Sequence, residues 1–268
     1  MRLVRCWAAE LALYYRVSLR WPIAALAIVI ACAFTNRQLV RFIADELYDV
    51  RFGFADILIM STSPPLHAVS LPQMVLGPLV MLALHGIARH DSSYNRLTRL
   101  QSCRQLWRKH SFWAILFSLS VSFASIVLIA LLFPPREGFF GPTNFDSARS
   151  LCSALTSWQV SVSPSNAWVM LTCMFEGFQI VLLEAMLFLF LGRLCGNDAL
   201  AFAVVLALAS LSLVYVRLGA LLQMGYFAFC DFEPLLYFSP LGVSGLLFLA
   251  GHLLPKREGL RKEGTYEH

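Results

Sequence analysis

The stretch HGIARHDSSYNRLTRLQSCRQLWRKHSFW, residues 85–113, joins two apolar runs of this chain. It carries five arginines and one lysine against a single acid, Asp91. Short loops rich in Lys and Arg are retained on the cytoplasmic side of a membrane. The stretch therefore predicts a cytoplasmic connector, residues 89–111, between two membrane spans.

The composition is that of a membrane protein. Of the 268 residues, 58% are hydrophobic and 14% are charged, and the mean hydropathy is +0.67, which does not describe a water-soluble surface. The net charge of +5 could indicate nucleic-acid binding. Most basic residues, however, flank apolar segments, where they orient the chain rather than bind phosphates in register. We therefore expect membrane lipid, and no nucleic acid, as a partner.

Apolar segments predict an all-α polytopic membrane protein with six transmembrane helices between residues 21 and 254. Each crossing needs about twenty residues. Pro72 and Pro78 lie inside the second segment and predict a kinked helix that packs against protein. The six segments are 21–34, 67–88, 112–133, 168–191, 199–216 and 241–254.

Four other segments complete the predicted domain organisation. Residues 1–20 alternate aromatic and basic side chains and predict an N-terminal interfacial helix. Residues 37–63 predict an amphipathic external helix or a re-entrant piece, because acids and apolar residues recur at a helical period. The remaining parts are an outer loop at 134–166, a re-entrant outer hairpin at 217–240 and a cytoplasmic tail at 255–268.

The distribution of basic residues predicts that both termini are cytoplasmic. Four Lys and Arg residues precede the first span, six lie in the connector, one is Arg193 and four lie in the tail. The other six of the 21 fall on the opposite side of the predicted membrane, at Arg37, Arg41, Arg51, Arg136, Arg149 and Arg217. This imbalance favours six spans with both ends inside.

The sequence carries no motif of a soluble-type enzyme. There is no HExxH, no GxSxG, no Walker lysine loop and no dinucleotide fingerprint. We therefore do not expect an enzyme. We also expect no resident metal, because the five-residue spacing of His85 and His90 does not place both side chains on one face of a helix. Cys152 and Cys230 both fall in predicted outer segments, where they form a disulfide or remain two free thiols.

Glu176 and Glu184 are the most informative single residues. A carboxylate in hydrocarbon costs several kcal/mol unless it is protonated, paired or faces water. Their eight-residue spacing places them on roughly the same side of the fourth span. They are candidates for an intramembrane polar path, for proton linkage, or for packing against a neighbouring helix, and an ion pair between Glu184 and Arg193 is a further alternative.

The connector itself predicts one or more short helices. An apolar side that includes Leu106 and Trp107 lies opposite exposed arginines at 96, 99, 104 and 108. Such a helix could lie on anionic lipid, dock on a cytoplasmic partner, or simply retain the loop inside.

Taken together, these segments resemble the permease subunit of bacterial type-2 class ATP-binding-cassette exporters. The stretch RLTRLQSCRQLWRKHSFW, residues 96–113, is similar to the basic, tryptophan-bearing segment that enters the third span in small permeases of this family. The resemblance covers the architecture of nearly the whole chain.

The resemblance implies a transport function in the bacterial inner membrane. A separate cytoplasmic ATPase, carrying ATP and Mg, would bind the connector as a coupling helix through Arg96, Arg99, Arg104, Trp107 and Arg108. Two permease chains, identical or different, would pair around the path of the exported molecule. The alternative function is a membrane assembly or immunity-type protein that binds a partner without transporting anything.

Overall fold

The structure is a computed structural model that describes residues 20–48, 50–62, 70–91, 103–143, 145, 150–151, 163–214 and 234–254. In these ranges the chain is almost entirely helical, and the extended contacts are two isolated bridges, Arg51 with Ser150 and Pro142 with Ser165. The helices are α1 (Arg20–Phe42), α2 (Phe54–Thr62), α3 (Gly77–Asp91), α4 (Cys103–Leu132), α5 (Asn166–Cys195), α6 (Asp198–Val214), α7 (Pro234–Tyr237) and α8 (Ser239–Leu253). A π-helical segment, Ile43–Tyr48, continues α1, and another, Pro72–Leu76, leads into α3.

Three of the described helices are long and apolar enough to cross a membrane. They include the segments Ala27–Glu46, Arg104–Leu132 and Asn166–Cys195. The predicted all-α class is thus confirmed. The count of six spans stays a prediction, because α3, α6 and α8 have 15, 17 and 15 residues, fewer than the about twenty needed for an upright crossing.

The outer surface of the bundle is apolar. On α4 the exposed side chains Phe112, Ile115, Leu119 and Phe123 recur every three or four residues and form one stripe. Serines of the same helix, among them Ser118 and Ser122, point inward and are buried. A bundle with apolar residues outside and hydroxyl groups inside suits a lipid environment rather than water.

Contacts between helix ends define two ends of the bundle. At the connector end, His85 near the end of α3 meets Asp198 at the start of α6, with 2.8 Å between Nδ1 and Oδ2. At the far end, the Arg37 guanidinium lies 4.9 Å from the centre of the Phe133 ring, which joins the C-terminal parts of α1 and α4. The end of α3 therefore lies beside the start of α6, and the ends of α1 and α4 lie together.

Helix α5 is the centre of the bundle. It packs against α2, α3, α4, α6, α8 and the π-helical segment at Pro72–Leu76. Its start is capped by Ser165, whose Oγ accepts the backbone N–H of Trp168 at 3.2 Å. Its end is closed by Gly196, whose φ of 65° is one that glycine adopts without a steric penalty. A tight turn of two residues, Gly196 and Asn197, leads directly into α6.

Two segments depart from the sequence-based expectations. The first span was expected at 21–34, but α1 runs to Phe42. An amphipathic external helix or a re-entrant piece was expected within 37–63. In the structure the helix of α1 continues as a π-helical segment to Tyr48, with Asp45 and Glu46 exposed, whereas all nine residues of α2 are buried. The re-entrant alternative for that segment fits this burial.

Several predicted segments cannot be compared with the structure. The interfacial helix at 1–20 lies outside the described residues except for Arg20, and the tail at 255–268 lies wholly outside them. The re-entrant hairpin at 217–240 is described only from Pro234 onward. Cys152 and Cys230 also lie outside the described residues.

Candidate functional site

Polar side chains are concentrated in the interior of the bundle, around α5. We call them the polar core. Burial of hydroxyl, amide and carboxyl groups inside an apolar bundle requires hydrogen bonds or a polar ligand, since an unsatisfied group costs several kcal/mol in hydrocarbon. The polar core consists of Ser61, Thr62, Ser70, Gln73, Ser118, Ser122, Cys173, Glu176, Gln179 and Glu184, all buried.

Hydrogen bonds join one side of the polar core. The Ser70 hydroxyl donates to the Thr62 carbonyl oxygen at 3.2 Å, which ties the end of α2 to the segment before α3. The Thr62 side chain of α2 lies close to the Cys173 thiol of α5, so polar groups of these two helices face each other. Asn36 of α1 donates its amide N–H to Ser61 at 3.4 Å. Four separate parts of the chain are therefore connected through polar groups.

Glu176 lies in the half of α5 that faces α2. Its side chain is 3% exposed, and it lies within electrostatic reach of Cys173 and of the Tyr237 hydroxyl at the end of α7. The carboxyl group of Glu176 therefore faces the protein interior.

Glu184 lies two turns further along α5 and has different neighbours. Its carboxylate packs directly on the backbone of Gly77, at the start of α3, and its Oε2 atom is buried without a hydrogen bond to any described residue. A methyl group added at Gly77 would also lie 3.3 Å from the carbonyl oxygen of Pro72. The absent side chain of Gly77 therefore provides the space that Glu184 occupies.

The two carboxyl groups do not form an acid–base pair. Eight residues of helix separate them by about 12 Å along the axis, and Glu176 and Glu184 face different neighbours. Short π-helical segments are frequent at functional sites. The π-helical segment Pro72–Leu76 packs on α5 between the two acids. A methyl group added at Gly177 of α5 would lie 3.6 Å from the Pro72 ring and 3.6 Å from the Ser122 hydroxyl oxygen.

The Glu184–Arg193 ion pair considered from the sequence is not formed. Arg193 instead donates from Nη2 to the carbonyl oxygen of Leu254 at 3.3 Å, and its guanidinium lies 5.5 Å from the centre of the Trp107 ring. It caps the end of α8, where carbonyl groups lack helical partners.

Trp107 is the centre of the contacts at the connector end. Its indole N–H donates to the carbonyl oxygen of Phe248 at 3.0 Å, and its ring lies flat against Gly251 of α8. We call Trp107, Arg193, Phe248, Gly251 and Leu254 the connector-end cluster. It joins the start of α4 to the ends of α5 and α8.

The predicted docking residues fall into three groups. Arg104 and Arg108 are exposed on the first turns of α4, as expected. Trp107, which we expected to contact a partner, is only 4% exposed and turns toward α8, so it offers no docking surface in this structure. Arg96 and Arg99 lie outside the described residues.

The expectation that the chain has no resident metal can be compared with the structure only for the residues that the structure describes. Among the described residues there is no group of three or more His, Cys, Asp or Glu side chains that would hold a metal ion.

The sequence analysis missed the pairing of His85 with Asp198 because 113 residues separate them. It also missed the fit of Trp107 on Gly251, for which the sequence offers no local signal.

In comparisons with protein-family models, with curated proteins and with solved structures, nothing matches the chain.

Proposed function

We propose that this chain is the permease subunit of a transporter driven by a separate cytoplasmic ATPase. The observation that supports this most is that α5, the central helix, carries two buried carboxyl groups behind an apolar outer surface. Acids are rare in membrane helices because each is costly there, and they mark substrate pathways and proton relays. In the proposal, Glu176 and Glu184 with the neighbouring hydroxyl groups line the path of a polar cargo.

The start of α4 offers the ATPase a place to dock. Arg104 and Arg108 are four residues apart and so share one face of the helix, and both are exposed. Charged patches of this kind orient a partner of opposite charge and fix its register. In the proposal they bind acidic groups of the ATPase, and Arg96 and Arg99 extend the same contact.

The connector-end cluster would transmit motion of the ATPase to the polar core. Trp107 lies between the two arginines in the sequence and contacts α8 and Arg193 of α5. A displacement of α4 would therefore move α5, which holds Glu184 against Gly77. ATP binding to the ATPase shifts such an equilibrium only by its differential affinity for the two states. A second permease chain, identical or related, would complete the path.

The docking proposal is tested by co-purification. We expect the affinity-tagged chain, extracted from its native membrane, to retain a Walker-type ATPase. The double substitution Arg104→Glu and Arg108→Glu should lower the amount retained at least tenfold, because reversing both charges turns attraction into repulsion and a tenfold loss needs only about 1.4 kcal/mol. The matched control is Arg41→Glu, at the far end of the bundle, which should leave the amount retained unchanged.

Two results would refute the docking proposal. One is wild-type chain that retains no ATPase under conditions that preserve its fold. The other is equal retention by the double variant and by Arg41→Glu, which would mean that the start of α4 is not the contact.

The polar core is tested separately. We expect Glu176→Gln and Glu184→Gln each to lower the ATP hydrolysis rate of the assembled complex in lipid bilayers at least threefold, because the amide keeps the shape but cannot carry the charge or a dissociable proton. Glu137→Gln, on the exposed loop after α4, serves as control. If complexes of both variants hydrolyse ATP at the wild-type rate and both variants unfold at the wild-type temperature, Glu176 and Glu184 neither line a path nor stabilise the packing. A partner-binding protein that transports nothing would then be the better hypothesis.

A further inference from the structure

The far end of the bundle contains a cavity of about 810 Å³. It lies where the C-terminal parts of α1 and α4, the segment before α2 and the start of α5 come together. Cavities of roughly 300–1,000 Å³ are typical of sites for small molecules. It lies at the opposite end from the connector-end cluster, so it is distinct from the docking site proposed for the ATPase.

Arginines dominate the charged lining of this cavity. Of the described residues that line it, Arg37, Arg51 and Arg136 are cationic, and Asp45 and Glu137 are anionic. Asp45 already accepts a hydrogen bond from Arg41 at 3.3 Å, so its charge is balanced by a residue outside the cavity. The planar guanidinium matches phosphate and carboxylate groups with two parallel hydrogen bonds, which makes an anionic group the complementary ligand.

The walls behind the arginines are apolar and aromatic. Phe54, Ile57 and Phe133 line the cavity, and each is at least nine-tenths buried. Phe133 also fixes one of the arginines, because the Arg37 guanidinium lies over its ring at 4.9 Å. A ligand that fills this cavity therefore meets charge on one side and hydrocarbon on the other.

The position of these arginines supports a binding role. The topology predicted from the sequence would place them on the side of the membrane where basic residues are disfavoured, with only six of the 21 Lys and Arg residues on that side. They occur in three different segments of the chain yet line one cavity. Orientation of the chain does not require them there, whereas recognition of an anion does.

We propose that this cavity binds an amphiphilic anion, a molecule with one phosphate or carboxylate group and an apolar chain. The anionic group contacts Arg37, Arg51 and Arg136, and the chain packs against Phe54, Ile57 and Phe133. The site opens at the far end of the bundle, where such a molecule is reached from the outer leaflet. This binding does not depend on transport or on an ATPase.

The test measures binding to the purified full-length chain in a neutral detergent. The probe is dihexanoyl phosphatidic acid, titrated by calorimetry, with dihexanoyl phosphatidylcholine as the zwitterionic match and inorganic phosphate as the headgroup alone. We expect phosphatidic acid to bind at least tenfold more tightly than either. Arg37→Gln and Arg136→Gln should each weaken that binding at least fivefold, and Asp45→Asn should strengthen it, because it removes a negative charge from the lining.

The control variant is Arg89→Gln, which removes the same charge at the connector end and should leave the Kd unchanged. The substituted arginines are exposed, and unfolding temperatures equal to that of the wild type would establish that each variant is folded. Equal affinity for phosphatidylcholine, equal affinity for inorganic phosphate, or an unchanged Kd in both Arg37→Gln and Arg136→Gln would each overturn the proposal.

Discussion

Replacing Gly251 by alanine is expected to lower the unfolding temperature of the detergent-solubilised chain by roughly 2–12 °C. The added methyl group would overlap the Trp107 ring, whose Cη2 atom would lie 2.6 Å away. The ring cannot move aside easily, because its N–H is bonded to the Phe248 carbonyl and Arg193 lies over it. Overpacking of this kind typically costs about 1–3 kcal/mol, and each kcal/mol shifts the midpoint by about 2–4 °C in chains of this size.

The same helix provides the control for this substitution. A methyl group at Gly245 would meet no atom within 4 Å, so Gly245→Ala should keep or slightly raise the unfolding temperature, since alanine favours helix over glycine by about 1 kcal/mol. Trp107→Leu combined with Gly251→Ala should lower the unfolding free energy by less than the sum of the two single substitutions, because without the indole ring there is no clash. Equal midpoints for Gly251→Ala and Gly245→Ala would show that α4 and α8 are not held together at this point.

The second large effect is expected at Gly77. The substitution Gly77→Ala places a methyl group where the Glu184 carboxylate lies, with the Pro72 carbonyl oxygen on another side. The carboxylate would have to leave its position inside the bundle, at a cost of about 1–3 kcal/mol. A lower unfolding temperature, measured by the loss of tryptophan fluorescence or by aggregation on heating, checks this.

A double-mutant cycle separates the clash with Glu184 from any other effect at Gly77. The double variant Glu184→Ala and Gly77→Ala should lose less unfolding free energy than the sum of the losses in the two single variants, because the carboxylate is no longer there to be displaced. Gly86→Ala, on the same helix with no atom within 4 Å of the added methyl group, is the neutral control. If the losses of unfolding free energy caused by Gly77→Ala and Glu184→Ala simply add, Glu184 does not pack on Gly77 as we describe.

Much of the fold follows from local sequence. The third and fourth spans were expected at 112–133 and 168–191, and the corresponding helices α4 and α5 contain these segments almost entirely. Pro134 and Pro135 explain the end of α4, and Gly196 explains the end of α5, because these residues act on the backbone next to them. The burial of Glu176 and Glu184 also follows from local reasoning, since hydrocarbon excludes a carboxyl group from the surface.

The departures from the expectations come from interactions between residues that are distant in the chain. The resemblance to permeases assigned Trp107 to a partner, but its indole N–H is bonded to the carbonyl oxygen of Phe248, 141 residues away in the same chain. The acids and apolar residues around residue 50 predicted an external amphipathic helix or a re-entrant piece. In the structure, however, Asp56 caps α2 by accepting the backbone N–H of Gly53 at 2.7 Å, which allows this helix to be buried.

The central position of α5 has a consequence for biogenesis. The ribosome delivers α1 to α4 to the membrane before α5 exists. Until then, Gln73 and Ser122 lack the helix against which the segment at Pro72–Leu76 and α4 pack. The helices that are made first therefore reach their final packing only after α5 has been made and has inserted among them.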